Sequence, residues 1–124
     1  EKAAEEARQQ RIVYDRALLQ SFNNVAELQA MREERLAASE ASQLLAEKTV
    51  QDNEKTLADL RSRVGDKAPD AALKAQIDTF EASLIDNLQV VRRLREDHSA
   101  TVAKYAYDID RFKALRAGTI RQGD

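Results

Sequence analysis

Val64-Gly65-Asp66-Lys67-Ala68-Pro69 interrupts an otherwise helix-forming chain and decides the fold. Gly can adopt the left-handed conformation that ends a helix, and Pro is tolerated in the first turn of the next one. The 124 residues include only three Gly and one Pro, so this is the strongest break in the sequence. We therefore place a hairpin tip at 65–69, with a long helix on each side of it.

Two weaker signals divide the rest of the chain. Asn24, followed three residues later by Glu27, predicts a helix start, because the amide oxygen can accept the unpaired backbone N–H groups of the first turn. Gly118 ends the last helix, and we expect the segment 118–124, which has no apolar periodicity, to be frayed. The sequence thus predicts one all-α domain over 1–124, with helices at about 2–21, 25–64 and 70–117.

The two long helices carry matching apolar seams. Seam positions recur in alternating steps of three and four residues, which is typical of a long antiparallel coiled-coil hairpin. They are Leu73, Ile77, Phe80, Leu84, Asn87, Val91, Leu94, His98, Thr101, Tyr105, Phe112 and Leu115 on the third helix, and Val50, Asn53, Leu57, Leu60 and Val64 on the second. Pairing positions equidistant from the tip places Val50 near Leu84 and Leu28 near Tyr105.

Further from the tip, the apolar residues of the second helix spread over a wider face, which includes Leu28, Met31, Leu44 and Leu45. Such a face needs more cover than one partner helix provides. The N-terminal helix offers Leu18 and its apolar neighbours. We therefore expect this helix to pack at the base of the hairpin as a three-helix bundle.

Charge and hydropathy argue against two classes of partner. Lys and Arg number 20 against 22 Asp and Glu, so the net charge of -2 gives no electrostatic reason to bind nucleic acid. No stretch approaches the roughly 20 apolar residues of a membrane span, so we expect no direct membrane insertion. The chain has no Cys, so its redox compartment stays open. Its first residue is Glu, and we expect a trimmed segment of a longer protein.

The sequence contains no recognisable enzyme motif, and we expect no catalytic, cofactor-binding or metal-ligating residues and no small-molecule substrate. His98 is the only histidine and follows Glu96 and Asp97 directly. Those carboxylates project to other faces of a helix, and there is no Cys or second His to complete a zinc site. We interpret His98 as a seam or seam-edge residue.

Three further residues are candidates for interaction or register roles. Asn53 and Asn87 interrupt apolar seams, where a buried amide can fix helix register at a cost in stability; alternatively, both lie hydrated at the edge. Tyr107 points away from the face shared by Tyr105 and Phe112. It is either a contact for another subunit or part of the packing against the N-terminal helix.

Several segments resemble a family of uncharacterised gammaproteobacterial coiled-coil proteins, many of them exported to the cell envelope. The similar segments are Tyr14 to Phe22, Glu27, Arg32 to Leu36 and Asp108 to Phe112. The resemblance rests on helical core patterns and carries over no catalytic residues. It implies a periplasmic or envelope-associated helical hairpin.

The sequence favours a structural or protein-interaction module, a coiled-coil scaffold that self-associates as a dimer or binds a protein partner. The alternative is a chaperone-like or adaptor arm that holds a client protein between helical rods. A scaffold predicts a closed dimer seam, whereas a client-binding arm predicts an exposed apolar groove in the monomer.

Overall fold

The computed structural model describes residues 1–65 and 67–124 and contains three α-helices. Helix α1 spans Lys2–Ser21, α2 spans Val25–Ser62 and α3 spans Ala71–Ala117. No strand occurs in the part of the chain that the structure describes. The predicted fold class and the predicted order of helices are confirmed.

Polar side chains fix where α2 begins. The backbone N–H of Glu27 donates to Asn24 Oδ1 at 3.0 Å, as the spacing of these two residues predicts. The Glu27 carboxylate reaches back to accept the backbone N–H of Asn23 at 2.8 Å and its side-chain amide at 3.1 Å. These two hydrogen bonds lower the pKa of Glu27, with the backbone bond contributing most.

The connection between the long helices is slightly longer than predicted. Helix α2 ends at Ser62, and the backbone N–H groups of Arg63 and Val64 close tighter turns onto the carbonyls three residues earlier. Asp70 caps α3 instead of belonging to it, because its Oδ1 accepts the N–H of Leu73 at 2.7 Å. Of the predicted tip 65–69, Gly65 has the expected positive φ of 65°, and Asp66 lies outside the described residues.

Contacts divide the chain into two compact units. The three-helix unit combines Glu1–Ala37 with Ser99–Asp124, and the two-helix unit is Ala38–His98. A buried cluster of Leu18, Leu28, Tyr105, Ile109 and Phe112 forms the core of the three-helix unit. Each of the three helices contributes to it, as predicted for the N-terminal helix, and the expected proximity of Leu28 and Tyr105 is confirmed. The single domain over 1–124 stays a prediction.

Helices α2 and α3 are antiparallel in the two-helix unit. Arg95 pairs with Glu47 at 3.0 Å and Arg61 pairs with Glu81 at 3.6 Å, so positions descend along α3 as they ascend along α2. His98 Nδ1 lies 2.8 Å from Ser39 Oγ. This contact shifts the pairing about one turn further along α3 than equidistance from the tip predicts.

The C-terminal segment 118–124 is packed and not frayed, which corrects our expectation. Gly123 is buried, its N–H donates to Asp15 Oδ2 at 2.8 Å and its carbonyl accepts from Arg11 Nε at 3.0 Å. Backbone hydrogen bonds to α1 side chains help to hold the segment in place, and no apolar pattern in the sequence marks such contacts.

Candidate interaction site

The predicted seam matches the burial along both helices of the two-helix unit. Val50, Leu57, Leu60 and Val91 are at most 7% exposed, and the other predicted seam positions in this unit are half-buried. The steps of three and four also continue backwards along α2 from Val50. The half-buried residues that continue them are Ala46, Gln43 and Ser39.

The backward half of the α2 seam was not identified from the sequence, because its residues are small or polar. Ser39 holds its place through the hydrogen bond to His98, which is half-buried in the facing seam. The structure thus places His98 in the seam, as one of our two interpretations has it. The only sequence signal was the spacing itself, extended back from Val50 through residues that are not apolar.

Asn53 and Asn87 lie in neighbouring layers of the seam. With Ser39 opposite His98, the repeat places Asn87 level with Val50 and Asn53 level with Leu84. Both asparagines are half-buried, and Asn87 also lines an open groove. Their role in fixing register stays a prediction.

On one flank of the helix pair, charged residues of α2 form ion pairs with charged residues of α3. We call it the charged flank and define it by the cross-helix pairs Glu47–Arg95 and Arg61–Glu81. Leu88 lies between the pairs, beside Glu47 and Arg95, with 49% of its surface exposed. Exposed pairs of this kind each stabilise by at most about 1 kcal/mol, but they keep this side of the hairpin hydrated.

The opposite flank is free of charge over its central turns, and we call it the uncharged flank. It contains an open groove of about 300 Å³. The groove is lined by Ser42, Leu45, Ala46 and Thr49 of α2 and by Asn87, Val90 and Leu94 of α3. Leu45 stands beside it with 69% of its surface exposed. The two flanks of one hairpin therefore present different chemistry to the solvent.

The hydroxyl groups on the uncharged flank are already hydrogen-bonded within α2. Ser42 Oγ donates to the Ala38 carbonyl and Thr49 Oγ1 donates to the Leu45 carbonyl, both at 3.1 Å. A hydroxyl that bonds to the carbonyl of the preceding turn leaves its carbon atoms facing outward. The uncharged flank can thus be covered by an apolar surface without stranding these donors.

The exposure of Leu44 and Leu45 corrects the expectation that a third helix covers them. They are 67% and 69% exposed, and they lie on different sides of α2, since Leu44 lines a groove with Glu40 and Glu47. The seam runs through Gln43 and Ala46 on either side of this pair. The apolar pair therefore misses the seam and faces solvent.

Two unpaired charges flank the middle of the groove on α3. Asp86 precedes Val90 by four residues and Arg93 follows it by three, so both share its side of the helix. Both are exposed. Within residues 1–65 and 67–124, neither takes part in an ion pair.

Tyr107 lies in the three-helix unit, packed on one side and open on the other. It is 51% exposed, and its ring meets that of Tyr14 edge to face, with centroids 6.2 Å apart. Both tyrosines line a groove of about 450 Å³. The structure thus shows packing against α1, and the contact with another subunit stays a prediction.

A buried ion pair that the sequence did not reveal joins α1 to α3. Arg111 donates two hydrogen bonds to Asp15, at 2.8 and 2.6 Å, and Asp15 is 1% exposed. The hydrogen bonds from Arg111 hold the pKa of Asp15 below its usual value, and the N–H of Gly123 acts in the same direction. Asp15 in turn raises the pKa of Arg111. The charge of Asp15 thus anchors both α3 and the C-terminal segment.

A second buried carboxylate lies one turn before Arg111. Asp108 is 2% exposed, accepts a hydrogen bond from the hydroxyl of Tyr14 and pairs with Lys104 at 2.8 Å. Burial raises the pKa of the Tyr14 hydroxyl, and the bond to Asp108 adds to the rise. Asp108 occupies the step of three after Tyr105, so the repeat that predicts the seam also marks this position.

Neither a metal site nor a membrane span is found in the part of the chain described. Among residues 1–65 and 67–124, no three metal-ligating side chains are grouped so that they could hold an ion. None of the helices, over the same residues, combines the length and the apolar character required to cross a bilayer.

The comparison with known proteins adds no relative. No family model, curated protein or solved structure matches this chain. The resemblance to envelope-associated coiled-coil proteins accordingly stays a prediction.

Proposed function

We propose that this chain is a non-enzymatic structural module, a coiled-coil scaffold that self-associates through its two-helix unit. The observation that carries the proposal is the exposed apolar surface of that unit. Leu45 is 69% exposed beside the groove of the uncharged flank, which Val90 and Leu94 also line. Two helices can bury only one stripe each against the other, so these side chains remain available to a further protein surface.

Hydrophobic burial would supply the driving force for association. Covering a large aliphatic side chain is worth about 1.5–3 kcal/mol when burial is complete. A twofold dimer buries each contributing residue twice, once in each copy. A few such residues therefore offset a substantial part of the cost of bringing two chains together.

The test is the solution mass by light scattering over a dilution series. We expect twice the chain mass at high concentration, with dissociation only on dilution. A mass equal to one chain at every concentration would overturn self-association. It would favour the alternative, an adaptor or chaperone-like arm whose apolar groove holds a client protein.

A further inference from the structure

Two exposed charges, Asp86 and Arg93, border the uncharged flank in an arrangement that fits a second copy of the same chain. We infer that two copies pack through their uncharged flanks about a twofold axis perpendicular to α3, with the two α3 helices antiparallel at Val90. This inference rests on the proposed function, since it names the surface through which self-association occurs. The residues that carry it all belong to the two-helix unit.

The first step is the symmetry of α3 about Val90. In an antiparallel packing of two identical helices, a residue lies opposite the one equally far beyond the axis. With the axis between Gln89 and Val90, Asp86 of one copy lies opposite Arg93 of the other, and the reverse contact repeats the pair. Two otherwise unpaired charges in each chain thereby gain partners of opposite sign.

The second step is that α2 fits the same axis. The contact between His98 and Ser39 sets the level of each residue of α2 against α3. At the level of Val90, Leu45 and Thr49 lie on either side of the axis on α2. Leu45 of one copy therefore rests on Thr49 of the other, whose hydroxyl is already bonded within its own helix. One axis therefore serves both helices to within about half a residue.

The third step compares the other twofold arrangement of the same flanks. If the axis ran along the helices, α2 of one copy would cover α3 of the other. Asp86 would then lie level with Asp52 of the second copy, which is already paired with Lys48 of its own helix at 3.2 Å, and Arg93 would lie level with Leu44. Neither Asp86 nor Arg93 would gain an unpaired partner of opposite charge. The antiparallel arrangement pairs both, so the charges favour it.

Charge reversal tests the pairing directly. Asp86→Arg puts two arginines at each contact, and Arg93→Asp puts two aspartates there. We expect each variant alone to weaken the dimer by about tenfold to a hundredfold in dissociation constant. An equimolar mixture of the two variants again places an arginine opposite an aspartate at both contacts, and we expect it to form a heterodimer. The readout is light scattering of each sample, with helicity by circular dichroism.

Arg92→Asp is the matched control, because it makes the same charge change one residue away. Arg92 is exposed and pairs with Glu96 on another side of α3, so we expect wild-type association. Cross-linking gives a second measurement, since the chain has no cysteine of its own. Val90→Cys should couple to itself through a short bis-maleimide, whereas Leu88→Cys on the charged flank should not.

The outcomes separate the two proposals. A wild-type chain that stays monomeric overturns self-association and this interface together. A wild-type dimer whose mass survives both charge reversals overturns the interface alone. A mixture that stays monomeric while both single variants are helical also overturns the interface, because the restored pairs would then have no effect.

Discussion

At the scale of single residues, Gly123 shows how little space the docked C-terminal segment leaves. Its φ is 89°, and a Cβ added there would lie 2.5 Å from Ile12 Cγ1. Gly123→Ala combines a strained backbone with an overlap on α1, so we expect a loss of about 1–3 kcal/mol in the free energy of unfolding. Urea unfolding measures this loss.

Gly118→Ala is the control for that substitution. Gly118 has a φ of 74°, but no atom lies within 4 Å of the added Cβ, so only the backbone strain of about 1 kcal/mol remains. If both variants lost the same free energy of unfolding, the overlap with Ile12 would add no cost. The packing of the C-terminal segment against α1 would then contribute nothing to stability.

Asp15 is the second residue whose substitution should lower stability, because it binds both α3 and the C-terminal segment. Its pKa lies below the usual 3.8 because Arg111 and Gly123 donate to its carboxylate. Stability from a carboxylate with a lowered pKa is present above the unfolded value and is lost as the pH falls through the folded value. We expect Asp15→Asn to cost about 3–5 kcal/mol at neutral pH, because Arg111 stays buried without its partner.

The pH dependence of that cost is the decisive measurement. As the pH falls from 3.8 through the lower pKa of folded Asp15, the wild-type carboxylate becomes protonated and the difference from Asp15→Asn should shrink. Asp59→Asn removes a pair of the same 2.6 Å length, but one whose side chains are about 60% exposed. We expect that control to change stability by less than about 1 kcal/mol at any pH. A cost for Asp15→Asn that is independent of pH would contradict the assigned charge.

At the scale of helices, the sequence is most informative where apolar residues keep a strict spacing. The seam of α3 could be predicted from Leu73 to Tyr105 because mostly apolar side chains occupy its steps of three and four. On α2 the same repeat passes through Ser39 and Gln43, which no hydrophobic pattern marks. Leu44 and Leu45 were assigned to a covered face on the strength of their apolarity, but their register directs them to solvent.

Pairing across helices shows where sequence reasoning ends. Asp15 and Arg111 are 96 residues apart, and nothing local to either one marks the other as its partner. Asp15 lies on α1 and Arg111 on α3, and the long helix α2 separates them along the chain. The uncharged flank could not be predicted from the sequence for the same reason, because Leu45 and Val90, which line its groove, lie on different helices. A single sequence indicates the helices but not the surfaces they create together.

At the scale of the whole molecule, the two units differ in how their helices are covered. The three-helix unit has a core built from all three helices and a buried ion pair. In the two-helix unit each helix is covered by one neighbour. Local opening costs less where fewer apolar contacts break. We therefore expect the backbone amides of 38–62 and 71–98 to exchange with deuterium faster than those near the core of the three-helix unit.

That difference should depend on protein concentration. Binding to the folded state stabilises it in proportion to the logarithm of the partner concentration, so about a hundredfold rise should slow exchange in the two-helix unit markedly. Exchange in the three-helix unit should stay the same, and Arg93→Asp should move the concentration dependence to about tenfold to a hundredfold higher concentration. If a dimeric wild-type chain showed slower exchange only in the three-helix unit, association would have to involve that unit. The solution mass shows whether the chain dimerises but does not locate the interface. Deuterium exchange measured along the chain shows which residues become protected, so it tests whether self-association uses the uncharged flank.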